Sequence, residues 1–330
     1  MRLSVKKAVV EVCGSCNYKC AMCPQAFDGG RERSFKKLMD FQMFCNILDE
    51  LNDNNEYVPE IYLEGSGEPT MNKKLPKYIE AGVERGFKMS FITNGSLMTG
   101  QHMRDIIDAG THFARFSVIG YNKEKYSHWM KNKFVDMEMI VDHANETISY
   151  IQESKSSATI GSYSLITDNS QIDYEVSEYR VNFIDKVKGI KSSIWKMHNW
   201  SGQLDVNWRQ GAKKRSCGRP FSPDLIVRAG GNDGKQGAVV PCCMVLGQDS
   251  KAVLGHLSEQ SIEEIWYGEK YEHLRQMHRE HRFDEIDYCK DCDMLYDTPE
   301  ALVWSNYEEA DYSNMTGSTE NMINLAEYRI

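Results

Sequence analysis

Along the first two thirds of the chain, short apolar runs alternate with longer stretches whose apolar positions recur every three or four residues. Lys7 to Val12 reads as a strand, and Phe35, Leu38, Phe41, Phe44, Leu48 and Leu51 trace one face of a helix. Glu60 to Glu64 is a second strand followed by a helix from Leu75 to Glu84, and Phe87 to Thr93 a third followed by a helix from about Gly100 to Ala109. Phe113 to Ile119, Ala158 to Ile166 and Ser193 to His198 complete six strands, with helices expected over Val135 to Ser154 and Tyr174 to Val187.

Regular alternation of strand and helix predicts parallel strands joined by right-handed crossovers, hence an α/β barrel or an open doubly wound sheet. Six units are too few to close an eight-stranded barrel. Residues 201–216 break the alternation and read as a linker. Beyond them, Phe221 to Ala229, the Gly-Gly-Asn-Asp-Gly at 230–234 and Ala238 to Val240 read as a β-hairpin. A helical stretch, Ser261 to His281, carries Ile262, Ile265, Trp266 and Leu274. The expected division is residues 1–200, a linker, a smaller unit over 217–310, and a polar tail over 311–330 that reads as mobile, with Leu325 available to tie it down.

With 330 residues, 41% of them apolar, the chain can bury a large core and a small appended unit. A net charge of −9 argues against a broad phosphate-tracking surface, so extended nucleic acid is not the expected partner. Only a short apolar run follows the first seven residues and none approaches a membrane span, so a cytoplasmic location is expected. In that compartment ten cysteines argue for metal ligation rather than disulfides. Cys45 lies apart from the others on a helical pattern and reads as a small core residue.

The densest chemistry is Cys16-Asn17-Tyr18-Lys19-Cys20-Ala21-Met22-Cys23, directly after the first strand. Three thiolates spaced this closely can hold three irons of a [4Fe-4S] cube and leave the fourth open. Zinc would normally pair two Cys-x2-Cys knuckles at a distance. Cys13 extends the run to Cys13-x2-Cys16 and Cys20-x2-Cys23, but the three-residue gap is short for a zinc ribbon, and Cys13 reads as structural.

This loop resembles the Cys-x3-Cys-x2-Cys signature of the radical S-adenosylmethionine (SAM) enzymes, whose open iron is chelated by SAM. The resemblance implies a partial (β/α)6 barrel, open on one side, with its reactive residues at the C-terminal ends of the strands. Gly65-Ser66-Gly67-Glu68-Pro69, after the second strand, resembles the family's Gly-Gly-Glu-Pro segment, which contacts the SAM amino group. Glycines admit a close ligand, and a carboxylate can pair with an ammonium. Thr93-Asn94-Gly95 matches the family's Thr-Asn-Gly at the third strand. The resemblance makes Met22, Gly65, Gly67, Glu68, Asn94 and Ser117 the expected SAM contacts, with Met22 beside adenine.

The second cysteine group is Cys217, Cys242, Cys243, Cys289 and Cys292, with a Gly-x4-Cys at Gly237 to Cys242 and a Cys-x2-Cys at Cys289 to Cys292. It resembles the SPASM or twitch extension that holds auxiliary clusters. Full SPASM domains carry seven or more cysteines, so one auxiliary [4Fe-4S] cluster on Cys217, Cys242, Cys289 and Cys292 is expected. A structural zinc on the same four, and Cys243 in place of Cys242, stay open. His278 and His281 lack the His-Glu-x-x-His pattern and read as a solvated helix face. Lys213, Lys214 and Arg215, near Trp208 and Arg209, either greet an anionic substrate or form a solvated charge run.

The activity implied is reductive cleavage of SAM to a 5'-deoxyadenosyl radical that abstracts a substrate hydrogen. An auxiliary cluster near the substrate can take a further electron, which favours net oxidation of a small polar molecule such as a sugar or aminocyclitol. A peptide or protein maturase is the alternative within the family, and a zinc-stabilised α/β binding protein the alternative outside it. A flavodoxin- or ferredoxin-type electron donor is the implied protein partner.

Overall fold

The computed structural model describes residues 2–26, 38–206, 216–230, 235–245, 250–296 and 302–306. Trp208, Arg209, the Lys213 to Arg215 cluster and Leu325 therefore lie outside the described residues. Six parallel strands form the frame: β1 (Lys7–Val10), β2 (Glu60–Leu63), β3 (Met89–Thr93), β4 (Thr111–Ser117), β5 (Thr159–Ile166) and β6 (Lys191–Lys196), in spatial order β6-β5-β4-β3-β2-β1. Every neighbouring pair among them is parallel. The crossovers hold α1 (Phe41–Asn54), α2 (Leu75–Val83), α3 (Gly100–Asp108), α4 (Lys123–Met130), α5 (Met137–Ser154) and α6 (Ile172–Asn182). This is the partial barrel that the family resemblance implies.

The strands are buried on both faces. Ala8, Val10, Ile61 and Leu63 join the helix-covered core, while Val9 and Tyr62 face the interior with Ile226, Ala238, Val240 and Val253. Double burial explains the near-continuous apolar runs that marked these strands in the sequence. The helices start where short polar side chains cap them: Asp40 accepts from Met43 N at 3.1 Å, and Asp136 from Met139 N at 3.0 Å.

Several expectations change. The first helix begins at Phe41, after its Asp40 cap, while Leu38 bridges to Cys13 instead of joining the helix and Phe35 lies outside the described residues. Helix α4 had no sequence signal, because only Tyr126 and Met130 of its eight residues are buried. The two expected hairpin strands pair, with the turn residues 231–234 outside the described residues, but the first strand, β7 (Asp224–Arg228), also pairs in parallel with β1 and so continues the barrel sheet. Its antiparallel partner β8 (Ala238–Val239) pairs with β9 (Gly255–His256), and β10 (Leu302–Ser305) adds antiparallel to β6 at the opposite edge. The cysteine-rich segment thus grows out of the same ten-stranded sheet. The stretch expected as one helix from Ser261 divides at Gly268 into α7 (Ile262–Trp266), started by a Ser261/Glu264 capping box, and α8 (Glu269–Arg279).

His278 overturns the solvated-face expectation. Tyr271, Leu274, Arg275, Met277 and His278 form the buried face of α8, and His278 is fully buried, whereas His281 is exposed. Spacings of three, four and seven from Tyr271 carry His278 inward.

Candidate active site

The strand ends converge on a cavity of about 230 Å³ lined by Cys16, Cys20, Met22, Cys23, Gly65, Gly67, Glu68, Asn94 and Ser117. All nine residues expected from the N-terminal motifs therefore meet on one surface. Tyr18, Glu64, Arg115, Tyr163, Trp195, Lys196, His198, Trp200, Arg228, Cys243 and Met294 line it as well. Cys13 does not line it. It is buried, bridges to Leu38 and donates its thiol to the Ser15 carbonyl at 3.4 Å.

The cysteine loop is held from three sides. From the second strand end, Glu68 N donates to Ser15 O at 2.7 Å, and Gln25 Nε2 donates to the Ser66 carbonyl. A Cβ on Gly67 would collide with the carbonyls of Cys13 and Ser15, and one on Gly65 with the Glu11 carboxylate. Both glycines are thus needed for close approach of the two loops, whatever ligand they also meet. From the third strand end, Asn94 Nδ2 donates to Asn17 Oδ1 at 2.8 Å, Asn17 Nδ2 donates to Ser96 Oγ at 2.9 Å, and Ser96 Oγ donates to Asn94 Oδ1 at 2.6 Å. From α4, Trp129 O accepts from Ala21 N at 2.7 Å, and the Tyr18 and Tyr126 hydroxyls lie 3.1 Å apart. Asn17, Ser96 and α4 were missed in the sequence; Asn17 lies inside the motif and was the one available hint.

Glu68 is fully committed. Its carboxylate accepts from Thr70 N (3.1 Å), Thr70 Oγ1 (2.6 Å), Thr93 Oγ1 (2.7 Å) and Asn94 N (2.7 Å), locking the second and third strand ends together. Burial raises its pKa against the pull of these bonds. Burial also pushes the Cys16 thiol up to about 12, with Glu68 and the neighbouring thiols adding to the shift, and holds Cys20 well above its ordinary value. Thiolates at these positions need a cationic centre to offset them.

The second cysteine group also gathers. Cys292 is buried and Cys217 and Cys242 are half-buried; desolvation raises all three, Cys242 to about 11, and the charge of neighbouring thiols adds to it. Arg219 stands among them: burial opposes its charge, and the Cys243, Cys242 and Cys217 sulfurs, as thiolates, favour it. Cys289 lies beside His278, whose Nε2 is 3.7 Å from its sulfur and whose Nδ1 is 2.7 Å from Ser216 Oγ. Burial lowers the His278 pKa to about 4, so it is neutral.

Do these donors fit iron-sulfur clusters? Both groups offer sulfur, the soft donor such clusters take. Among the described residues no three Cys, His, Asp or Glu side chains converge closely enough to share one metal ion. Tetrahedral zinc needs every sulfur within about 2.3 Å of one point, whereas a four-iron cube spreads its ligands over separate corners. Cys16, Cys20 and Cys23 line one cavity and offer sulfur donors for three corners of such a cube.

Comparison with known proteins agrees. Residues 10–160 match the radical SAM superfamily, and residues 234–293, which include Cys242, Cys243, Cys289 and Cys292, match the SPASM iron-sulfur cluster-binding domain. The tungsten-containing aldehyde ferredoxin oxidoreductase cofactor-modifying protein of Pyrococcus furiosus is 22% identical over 88% of this chain and 88% of its own. The S-adenosyl-L-methionine-dependent 2-deoxy-scyllo-inosamine dehydrogenase of Niallia circulans is 23% identical over 86% of this chain and 90% of its own. In fold, the chain is similar to BtrN crystallised with AdoMet and 2-DOIA (TM-score 0.58, 19% identity, 88% of this chain and 94% of that one). It is also similar to Streptococcus suis SuiB bound to precursor peptide SuiA (TM-score 0.59, 14% identity, 89% and 71%). The cysteine loop, the strand-end cavity and these matches together give the chain a radical SAM superfamily domain over residues 10–160 and a SPASM domain over residues 234–293, which imply SAM, a [4Fe-4S] cluster and an auxiliary cluster as its cofactors.

Proposed function

We propose that the protein removes hydrogen from a small polar substrate, such as a sugar or aminocyclitol, in a net oxidation. The observation that carries this reading is that Cys243, from the second cysteine group, lines the same cavity as Cys16, Cys20 and Cys23. The chemistry supplied when SAM and its cluster are bound is reductive cleavage to methionine and a 5'-deoxyadenosyl radical, which takes one hydrogen atom from the substrate. Net oxidation then requires one electron and one proton to leave, and an electron acceptor next to the substrate meets the first need.

On this reading, Cys16, Cys20 and Cys23 hold the SAM cluster, and Gly65, Gly67, Asn94, Met22 and Ser117 shape the SAM pocket. Glu68 acts by bracing the loops that carry these residues, since its oxygens already accept four hydrogen bonds. Cys217, Cys242, Cys289 and Cys292 hold the auxiliary cluster, Arg219 offsets its charge, and Cys243 stands on the cavity side. The barrel takes residues 1–200 and the cluster unit 217–310. The reducing electron comes from a flavodoxin- or ferredoxin-type donor in the cytoplasm. Among the described residues no helix is long and apolar enough to cross a membrane.

The test is metal content and turnover. Anaerobically reconstituted protein should hold about eight irons, two four-iron cubes, and form 5'-deoxyadenosine with dithionite and SAM. About four irons with one zinc would remove the electron-acceptor role, and zinc alone without product would overturn the enzyme assignment. A panel of aminocyclitols, sugars and peptides should then raise 5'-deoxyadenosine formation for a polyol and yield one ketone per 5'-deoxyadenosine. Stimulation by peptides alone would point to a maturase.

A further inference from the structure

Buried polar side-chain atoms nearly always find a partner, and those that lack one ask for an explanation such as a missing ligand. Glu64 Oε2, Arg115 Nε, Trp195 Nε1 and Trp200 Nε1 are buried without a hydrogen-bond partner, and all four residues line the cavity. Arg115 is the most demanding. It is 6% exposed, stacks over the Tyr163 ring with its guanidinium 5.1 Å from the centroid, and makes no side-chain hydrogen bond or ion pair with any described residue. A buried guanidinium with no anion is costly and calls for one from outside the chain.

The strand register explains why Glu64 does not supply it. Leu63 pairs with Phe91 across β2 and β3, and Ile92 with Arg115 across β3 and β4, so Glu64, Ile92 and Arg115 share one level of the barrel. The apolar Ile92 stands between the two charges. Two strand spacings separate their backbones by about 10 Å, a span that a substituted six-membered ring can bridge. Arg115 also lies one inward-facing position deeper than Ser117 along β4.

We propose that Arg115 and Glu64 form a two-point recognition site for a small substrate bearing an oxyanion, carboxylate or phosphate, at one end and an ammonium or hydroxyl at the other. The oxyanion takes the Arg115 fork, with the indole N–H groups of Trp195 and Trp200 as further donors, and Glu64 accepts from the opposite end. This rests on the small-molecule reading of the cavity and narrows it. The other source of the same chemistry is the carboxylate of SAM, and the test separates the two.

The probe is inorganic phosphate, titrated against anaerobic holoprotein saturated with SAM and followed by tryptophan fluorescence, since Trp195 and Trp200 line the site. Wild type is expected to bind phosphate, Arg115→Gln to lose affinity by about tenfold or more, and Glu64→Gln to bind it at least as tightly. SAM affinity, read from the electron paramagnetic resonance of the reduced cluster, is expected to survive in Arg115→Gln. Arg115→Lys, which keeps the charge without the fork, should fall between; if Arg115→Gln fails to take up iron, this variant decides. No phosphate binding by wild type, or equal binding by Arg115→Gln, overturns the proposal. Loss of SAM affinity in Arg115→Gln, with phosphate competing against SAM, assigns the site to the SAM carboxylate and also overturns it. Wild type that makes no 5'-deoxyadenosine would instead remove the enzyme reading beneath.

Discussion

Arg228 and Glu11 form an ion pair at 3.6 Å, with their side chains 1% and 0% exposed. The pair joins the two cysteine-bearing parts of the chain. Arg228 Nη2 donates to the carbonyls of Cys243 and Val245, both at 3.1 Å, while the Glu11 carboxylate accepts from Ser66 N and from Ala229 N, the latter at 3.3 Å. One buried cation thus fixes the second cysteine loop, and one buried anion fixes the Ser66 turn that packs on the first.

Removing one partner of a buried pair costs about 3–5 kcal/mol, whereas removing both costs much less. Arg228→Met should therefore lower stability by about 3 kcal/mol, and Glu11→Gln combined with Arg228→Met should recover at least half of that. Equilibrium denaturant unfolding under anaerobic conditions measures both. Additive losses in the double variant would mean that the two side chains act separately.

The three cysteines at the cavity and the one behind it should separate cleanly in activity. Cys16→Ala, Cys20→Ala and Cys23→Ala are each expected to abolish 5'-deoxyadenosine formation and to lose about four irons. Cys13→Ala, which removes a buried thiol that donates to the nearby Ser15 carbonyl, should keep most of both. Activity retained in Cys16→Ala and lost in Cys13→Ala would reverse the ligand assignment.

Gly67 is a packing requirement independent of any ligand. Gly67→Ala drives a methyl group into the carbonyls of Cys13 and Ser15, and neither is a flexible side chain that can swing away. The expected loss is about 1–3 kcal/mol, together with poorer iron loading because the displaced backbone carries Cys16. Thermal unfolding and iron analysis of the variant check this, and unchanged values in both would contradict the contact.

Helix α3 depends on a cap from another helix. Its own N-cap residue, Thr99, makes no side-chain capping bond, and Glu146 of α5 accepts instead from Thr99 Oγ1 and from Gly100 N at 3.0 Å. These bonds lower the Glu146 pKa below its ordinary 4.5. A depressed carboxylate contributes stability above its unfolded pKa and loses it only as pH falls through the folded one. Glu146→Ala should therefore cost about 1 kcal/mol, and the gap should stay constant from pH 6 to pH 9 in urea unfolding. A gap that closes within that range would point to another titrating group.

Much of the site was legible because its chemistry is local. Cys16, Cys20 and Cys23 lie within one short loop, and the Gly65 to Pro69 and Thr93 to Gly95 turns each end a strand whose double burial makes it a continuous apolar run. Glu64 and Arg115 gave no such signal. A charged residue at a strand position looks like a solvent-facing one until the neighbouring strands place it inward, and Arg228, beyond the expected linker, reads as an edge residue until β7 pairs with β1. His278 escaped for the same reason, since its inward direction depends on which face of α8 is covered.

By itself the sequence determined the alternation of elements, the parallel strands and the cysteine loop, since each is written in spacings of a few residues, and the family resemblance carried by that loop added the partial barrel. Only the tertiary structure decided that the second cysteine group reaches the first cavity, that Glu68 spends its oxygens on the fold, and that Arg115 is left buried without an anion. Those outcomes depend on register and burial between segments more than two hundred residues apart, as in the contact of Glu11 with Ala229. No local pattern encodes them, because the partner of a buried charge is chosen by the packing around it.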